Sequence, residues 1–127
     1  MAPTTKTDSK KTSSNRSRRK PEAAEGSMQK EYVQGKTLCK VTFTLRQGAA
    51  YSAKGVNIVG DFNNWDTRAN PMRKLKSGTW FLALVLESGR DYQFRYLIDE
   101  TLWVNDRHAD RYVKSLDARS NNSVVTT

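Results

Sequence analysis

One cysteine, one histidine and no apolar stretch long enough to cross a bilayer set the first limits on this 127-residue chain. Cys39 has no second cysteine to pair with, so no internal disulfide staples the fold. Its place in an apolar alternation suits core packing in a reducing compartment such as the cytoplasm. The apolar run Phe81 to Leu86 falls far short of the ~18 residues that a membrane span requires. No apolar segment follows the basic N-terminus as it would in a secretory signal, so neither export nor a membrane partner is expected. The sequence also lacks zinc-ligand spacing, an internal repeat and any sustained helical period.

A recognisable nucleophile is missing as well. His108 sits in the polar run Asn105 to Asp110 with no serine or cysteine motif beside it. Asp99, Asp106 and Asp110 could supply a carboxylate pair for glycoside hydrolysis, but that chemistry needs a cleft deep enough to raise one pKa by burial. In a chain of this size, turn-forming and capping roles suit them better. No enzyme activity, cofactor or metal is therefore expected.

The net charge is +9, and its distribution says more than its total. Residues 1–20 hold seven Lys and Arg against Asp8 alone, so the remaining 107 residues are only mildly basic. Residues 1–30 have almost no large apolar side chain and cannot bury enough surface to offset their ordering entropy. They read as a disordered tail ahead of a domain over 31–127, either solubilising or binding a polyanion such as nucleic acid.

Within that domain the periodicity is that of strands. From Leu38 to Leu45, Cys39, Val41, Phe43 and Leu45 alternate with Lys40, Thr42 and Thr44, the pattern of a half-buried strand. Val56 to Val59 begins a second, and Met72 to Leu75 reads as a short edge strand. Thr79 to Glu87 is apolar on both faces and so reads as central. Asp91 to Asp99 puts Tyr92, Phe94, Tyr96 and Ile98 on one face and Gln93, Arg95 and Leu97 on the other. A hairpin at Glu100-Thr101 leads to Leu102-Trp103-Val104, and Ser123-Val124-Val125 can add a last strand. Short strands spaced by turn signals predict an all-β, antiparallel β-sandwich.

The aromatic residues are placed unusually. Trp65 follows Asn63-Asn64 in a polar turn, and Trp103 follows a hairpin turn. An indole there either folds back onto the domain or offers a flat apolar face to a ligand. A pyranose has a matching C–H face, and its hydroxyl rim suits planar groups such as Asn amides or the Arg95 guanidinium. Trp80, inside an apolar strand, reads as ordinary packing.

The run Val56-Asn57-Ile58-Val59-Gly60-Asp61-Phe62-Asn63-Asn64-Trp65 is followed by Pro71-Met72, Tyr92 to Asp99, Trp103 and Asn121-Asn122. In that order these motifs resemble the glycogen-binding or isoamylase N-terminal module. This is the early-set, immunoglobulin-like carbohydrate-binding module of family 48, found in branching and debranching enzymes and in the β subunit of AMP-activated kinase. The resemblance spans roughly Leu38 to Val125. It implies stacking platforms at Trp65 and Trp103, and a sugar contact at Arg95, where the kinase β subunit has a lysine. It also implies a hydroxyl-binding asparagine at Asn121, with Asn122 as the one-residue alternative. The ligand implied is α-1,4-glucan such as glycogen, starch or maltooligosaccharide, bound at about −4 to −8 kcal/mol on open, shallow platforms. A regulatory module docking a partner enzyme or kinase-like subunit is the alternative. One departure from the family pattern is Glu100-Thr101, where a glycine usually follows the aspartate.

Overall fold

The computed structural model describes residues 26–46 and 48–127. Among the described residues two antiparallel sheets pack face to face, as the alternating strands predict. In the first sheet β1 (Gly26–Val33), β2 (Leu38–Leu45), β5 (Trp80–Glu87) and β4 (Arg73–Lys74) lie in the order β1-β2-β5-β4. The second has the order β3-β6-β9-β8, from β3 (Val56–Gly60), β6 (Asp91–Ile98), β9 (Asn121–Thr126) and β8 (Arg111–Lys114). The short β7 (Leu102–Val104) also pairs with β6. No helix among the described residues is long and apolar enough to cross a membrane.

The core forms where the two alternations meet. Cys39, Val41, Phe43 and Leu45 of β2 are fully buried against Phe94, Tyr96 and Ile98 of β6. Phe43 meets Phe94 edge-on with ring centroids 5.0 Å apart, and Phe94 meets Tyr96 at 5.7 Å. Such edge-to-face pairs add to what burial itself contributes. Trp80 packs as expected: it is buried, its Nε1–H donates to Ala50 O at 2.7 Å, and Lys74 lies over its ring.

One expectation needs correction. The stretch expected to be disordered falls outside the described residues as far as residue 25, but Gly26 to Lys30 belong to β1 and pair with Leu45 to Val41. The domain therefore reaches further toward the N-terminus than residue 31. That segment looked structureless because its inward positions are not uniformly apolar. Met28 packs on the core, but Lys30 spans the sandwich edge to Asp110 Oδ2 at 2.7 Å, and the Tyr32 hydroxyl donates to Thr127 O at 2.6 Å. As its apolar run predicts, β5 is central, lying between β2 and β4, and it is covered on one face only. Val85 remains 60% exposed, in line with the outward Phe81 and Ala83.

Candidate functional site

The turn that presents Trp65 is fixed residue by residue. Gly60 lies so close to β6 that a Cβ would meet Gln93 O at 2.4 Å and Phe94 Cβ at 2.7 Å, so no larger residue fits. Asp61 accepts the Gln93 backbone N–H at 2.7 Å with one oxygen and the Trp65 Nε1–H at 2.9 Å with the other. Phe62 turns inward, 5.8 Å from Phe43. Asn63 accepts from Gly60 N–H at 3.1 Å and donates to Ile58 O and to Asn70 Oδ1. These bonds hold Asn64 and Trp65 in the left-handed region, at φ 56° and 58°, which costs on the order of 1–2 kcal/mol per residue outside glycine. The result is an indole tethered at its nitrogen and half-buried at the sheet surface.

The second indole comes from the β6–β7 hairpin. Asp99 and Glu100 have φ of 50° and 64°, and Thr101 N–H donates to Ile98 O, the geometry of a type I′ turn. Glu100 thus holds without glycine the conformation in which a glycine would be unstrained. Asp99 earns its place by accepting the N–H groups of Lys54 and Gly55 at 2.8 and 3.0 Å. Glu100→Gly is expected to stabilise the fold by about 1 kcal/mol, the relieved left-handed strain less the added unfolded-state entropy. A rise of a few degrees in melting temperature checks this.

Both indoles face the same side chain. The Arg95 guanidinium lies 5.9 Å from the Trp65 ring and 5.4 Å from that of Trp103, within cation–π range of each. Its Nη1 donates to Ser120 Oγ at 3.3 Å. Trp103 is 39% exposed. Trp65, Arg95 and Trp103 therefore converge on the outer face of the second sheet, with both indoles partly open to solvent.

Beside Trp65 and Arg95 runs an open groove of roughly 560 Å³. Asp61, Gln93 and Asn122 border it on the sheet side, and Lys114 at the end of β8 with Ser115 to Asp117 of the β8–β9 loop forms its other wall. Asn122 is 6% exposed and donates through Nδ2 to Gln93 Oε1 at 3.0 Å. Among the described residues its buried Oδ1 has no hydrogen-bond partner, nor has the buried Arg95 Nε. Asn121 is exposed, engages Asn105 through its backbone carbonyl at 2.9 Å, and does not line the groove. Of the two asparagines, Asn122 is the one brought beside Trp65.

Sequence reasoning missed the loop wall. Leu116 projects fully into solvent at the groove's edge, which no periodicity in Ser115 to Ser120 announces. The loop is shaped by Asp117, which accepts from Ser115 Oγ at 2.6 Å and Arg119 N–H at 3.0 Å. The Ser115 hydroxyl and these N–H groups hold its carboxyl below the usual range.

Beneath the site lies a second apolar layer. Val59, Leu97 and Val124 are buried but belong to the outer face, apart from the core cluster. Val59 pairs with Arg95, Leu97 with Trp103, and Val124 with Gln93, so groove and indole side chains are their cross-strand neighbours.

The three aspartates weighed as catalytic candidates serve the fold. Asp99 caps the Lys54–Gly55 loop, and Asp110 takes Lys30 Nζ and the Thr126 N–H. Asp106 is fully buried, accepting from the Tyr96 hydroxyl at 2.7 Å and from His108 N–H at 2.8 Å. Burial raises its carboxyl pKa above the ordinary value, the hydrogen bonds opposing this in part.

Residues 48–111, half the chain, match the family model of carbohydrate-binding module 48, the isoamylase N-terminal domain. The chain belongs to this family. The module 48 match contains Trp65, Arg95 and Trp103, and stops short of Asn121 and Asn122. Similar curated proteins include a 1,4-alpha-glucan-branching enzyme of Emericella nidulans, 56% identical over 32 residues, 25% of this chain and 5% of that protein. Branching enzymes of Frankia casuarinae and Thiobacillus denitrificans are 41% and 38% identical over 71 and 82 residues, 54% and 63% of this chain. The module 48 chain spans at most a tenth of these relatives' lengths.

Proposed function

We propose that this chain binds α-1,4-glucan without acting on it chemically, stacking glucosyl rings on Trp65 and Trp103 and holding their hydroxyls with Arg95 and Asn122. The observation that carries this reading is a pair of buried groups, unmatched among the described residues, on two residues that line one groove: a donor, Arg95 Nε, and an acceptor, Asn122 Oδ1. A hydroxyl both donates and accepts, so a sugar meets both needs, whereas an anion meets only the first. The formal charges along the groove also balance, Asp61 and Asp117 against Arg95 and Lys114, which suits a neutral ligand.

Affinity electrophoresis in glycogen-containing gel tests it. The wild-type chain is expected to be retarded, and Asn122→Ala to weaken binding about tenfold, the worth of one well-made hydrogen bond. Asn121→Ala, one residue away, should change it less than twofold. Equal mobility of the wild type with and without glycogen would overturn the reading, and a larger loss from Asn121→Ala would reassign the asparagine.

A second reading, docking to a glycogen-metabolising enzyme or kinase-like partner, draws support from the uncovered apolar face of β5, where Phe81, Ala83 and Val85 line up. The basic N-terminal residues, outside the described part of the chain, would bind a polyanion in addition. Salt-sensitive mobility that disappears when residues 1–25 are removed would separate that activity from glucan retention.

A further inference from the structure

We propose that the binding face continues past Trp103 into a second subsite, built from Asn57, Lys54 and the Asp99–Glu100 turn, which takes further glucosyl residues of a longer chain. This rests on the glucan reading of the first groove.

The strand register places the two regions on one surface. Asn57 of β3 lies opposite Leu97, and Leu97 lies opposite Trp103, so the three form a row across the outer face of the second sheet. With strands about 4.8 Å apart, Asn57 stands about 10 Å from Trp103 across the sheet. Along β6 the same face runs Gln93, Arg95, Leu97 and then Asp99, which at about 3.3 Å per residue is about 20 Å. An extended oligosaccharide held at Gln93 and Arg95 therefore points toward the hairpin turn.

A second concavity lies there, roughly 520 Å³ and open, lined by Lys54, Gly55, Asn57, Asp99 and Glu100. Its chemistry favours hydroxyl donors. Asn57 Oδ1 is buried and has no hydrogen-bond partner among the described residues. Asp99 Oδ1 is already taken by two backbone N–H groups, whereas the exposed Glu100 carboxylate at the tip of the turn has no such partner among the described residues. Two carboxylates oppose a phosphate, and an apolar ligand leaves Asn57 Oδ1 unmatched. Sugar hydroxyls donate to these acceptors and accept from the Lys54 ammonium. The first groove and the second thus both offer polar groups that hydroxyls match, on the sheet face that also carries Trp103.

Titration calorimetry on the full chain with maltotriose and maltoheptaose tests the subsite. The wild type is expected to bind maltoheptaose about tenfold more tightly than maltotriose. Asn57→Ala should lower maltoheptaose affinity about fivefold, one hydrogen bond's worth, and leave maltotriose within twofold. Lys54→Ala, an exposed replacement that does not touch the β3 ladder, should show the same selectivity if Asn57→Ala lowers the melting temperature. Equal losses on both oligosaccharides, or no loss on either, would overturn the second subsite while leaving the first standing. Failure of the wild type to bind either ligand would overturn the glucan reading itself. A melting temperature raised by calcium, with oligosaccharide binding indifferent to both substitutions, would make the concavity a cation site instead.

Discussion

Trp65→Ala is expected to lower affinity for glycogen and maltoheptaose about 10- to 100-fold while shifting the melting temperature by only a few degrees. The indole is the largest flat apolar surface bordering the groove, and losing one well-stacked ring removes on the order of 1.5–3 kcal/mol, an order of magnitude or two in affinity. The turn survives the replacement because its other fastenings do not involve the ring. Asp61 still accepts the Gln93 N–H, Asn63 keeps its three bonds, and the residue-65 N–H still donates to Gly60 O at 2.9 Å. Alanine bears the same left-handed backbone cost as tryptophan, so the strain at φ 58° is unchanged. Trp103→Ala should weaken binding as well, since Arg95 would lose one of the two rings it lies against. Affinity electrophoresis beside a thermal melt reads both effects, and unchanged retention in both variants would remove these indoles from the site.

The largest effect on stability is expected at Asp106. Asp106→Ala should cost about 3 kcal/mol, because the buried Tyr96 hydroxyl and the His108 N–H both lose their acceptor. Asp106→Asn keeps an acceptor and removes the charge, so its cost should depend on pH. A carboxyl whose pKa is raised in the folded state binds its proton more tightly there than in the unfolded chain. Its contribution to stability is fully present below about pH 4, the unfolded value, and is lost as pH rises through the raised folded value. Urea titrations at intervals from pH 4 to 8 should therefore show Asp106→Asn gaining on the wild type as pH rises. A difference constant across that range would mean that burial does not shift this group.

Much of the fold was legible because the sandwich buries alternate residues and the sequence writes that alternation openly in β2 and β6. Phe43, Phe94 and Tyr96 could be placed in the core from spacing alone. β1 was not legible, since its inward Lys30 reaches an ion pair across the sandwich edge rather than an apolar neighbour. A strand closing an edge through polar contacts leaves no hydrophobic period to read. The apolar run of β5 gave its central place, although Phe81, Ala83 and Val85 look outward.

The site divides in the same way. The motif around Gly60 to Trp65 is readable because nearly every residue in it has a geometric duty, from the close approach at Gly60 to the two-way carboxylate of Asp61. The choice between Asn121 and Asn122 was not readable, because one step along a strand reverses the face and no spacing fixes where β9 begins. Leu116 was invisible for a related reason, as its exposure arises from hydrogen bonds within a loop.

The layer of Val59, Leu97 and Val124 under the groove ties ligand affinity to solubility. A chain that shed its indoles and guanidinium together would uncover three aliphatic side chains across adjacent strands, a sticky patch of the kind that promotes self-association. Giving up the sugar would then require replacing the layer beneath with polar residues as well. The side chains proposed to hold glucan thus also act as a roof, shielding this face of the sheet from other chains whether or not glucan is bound.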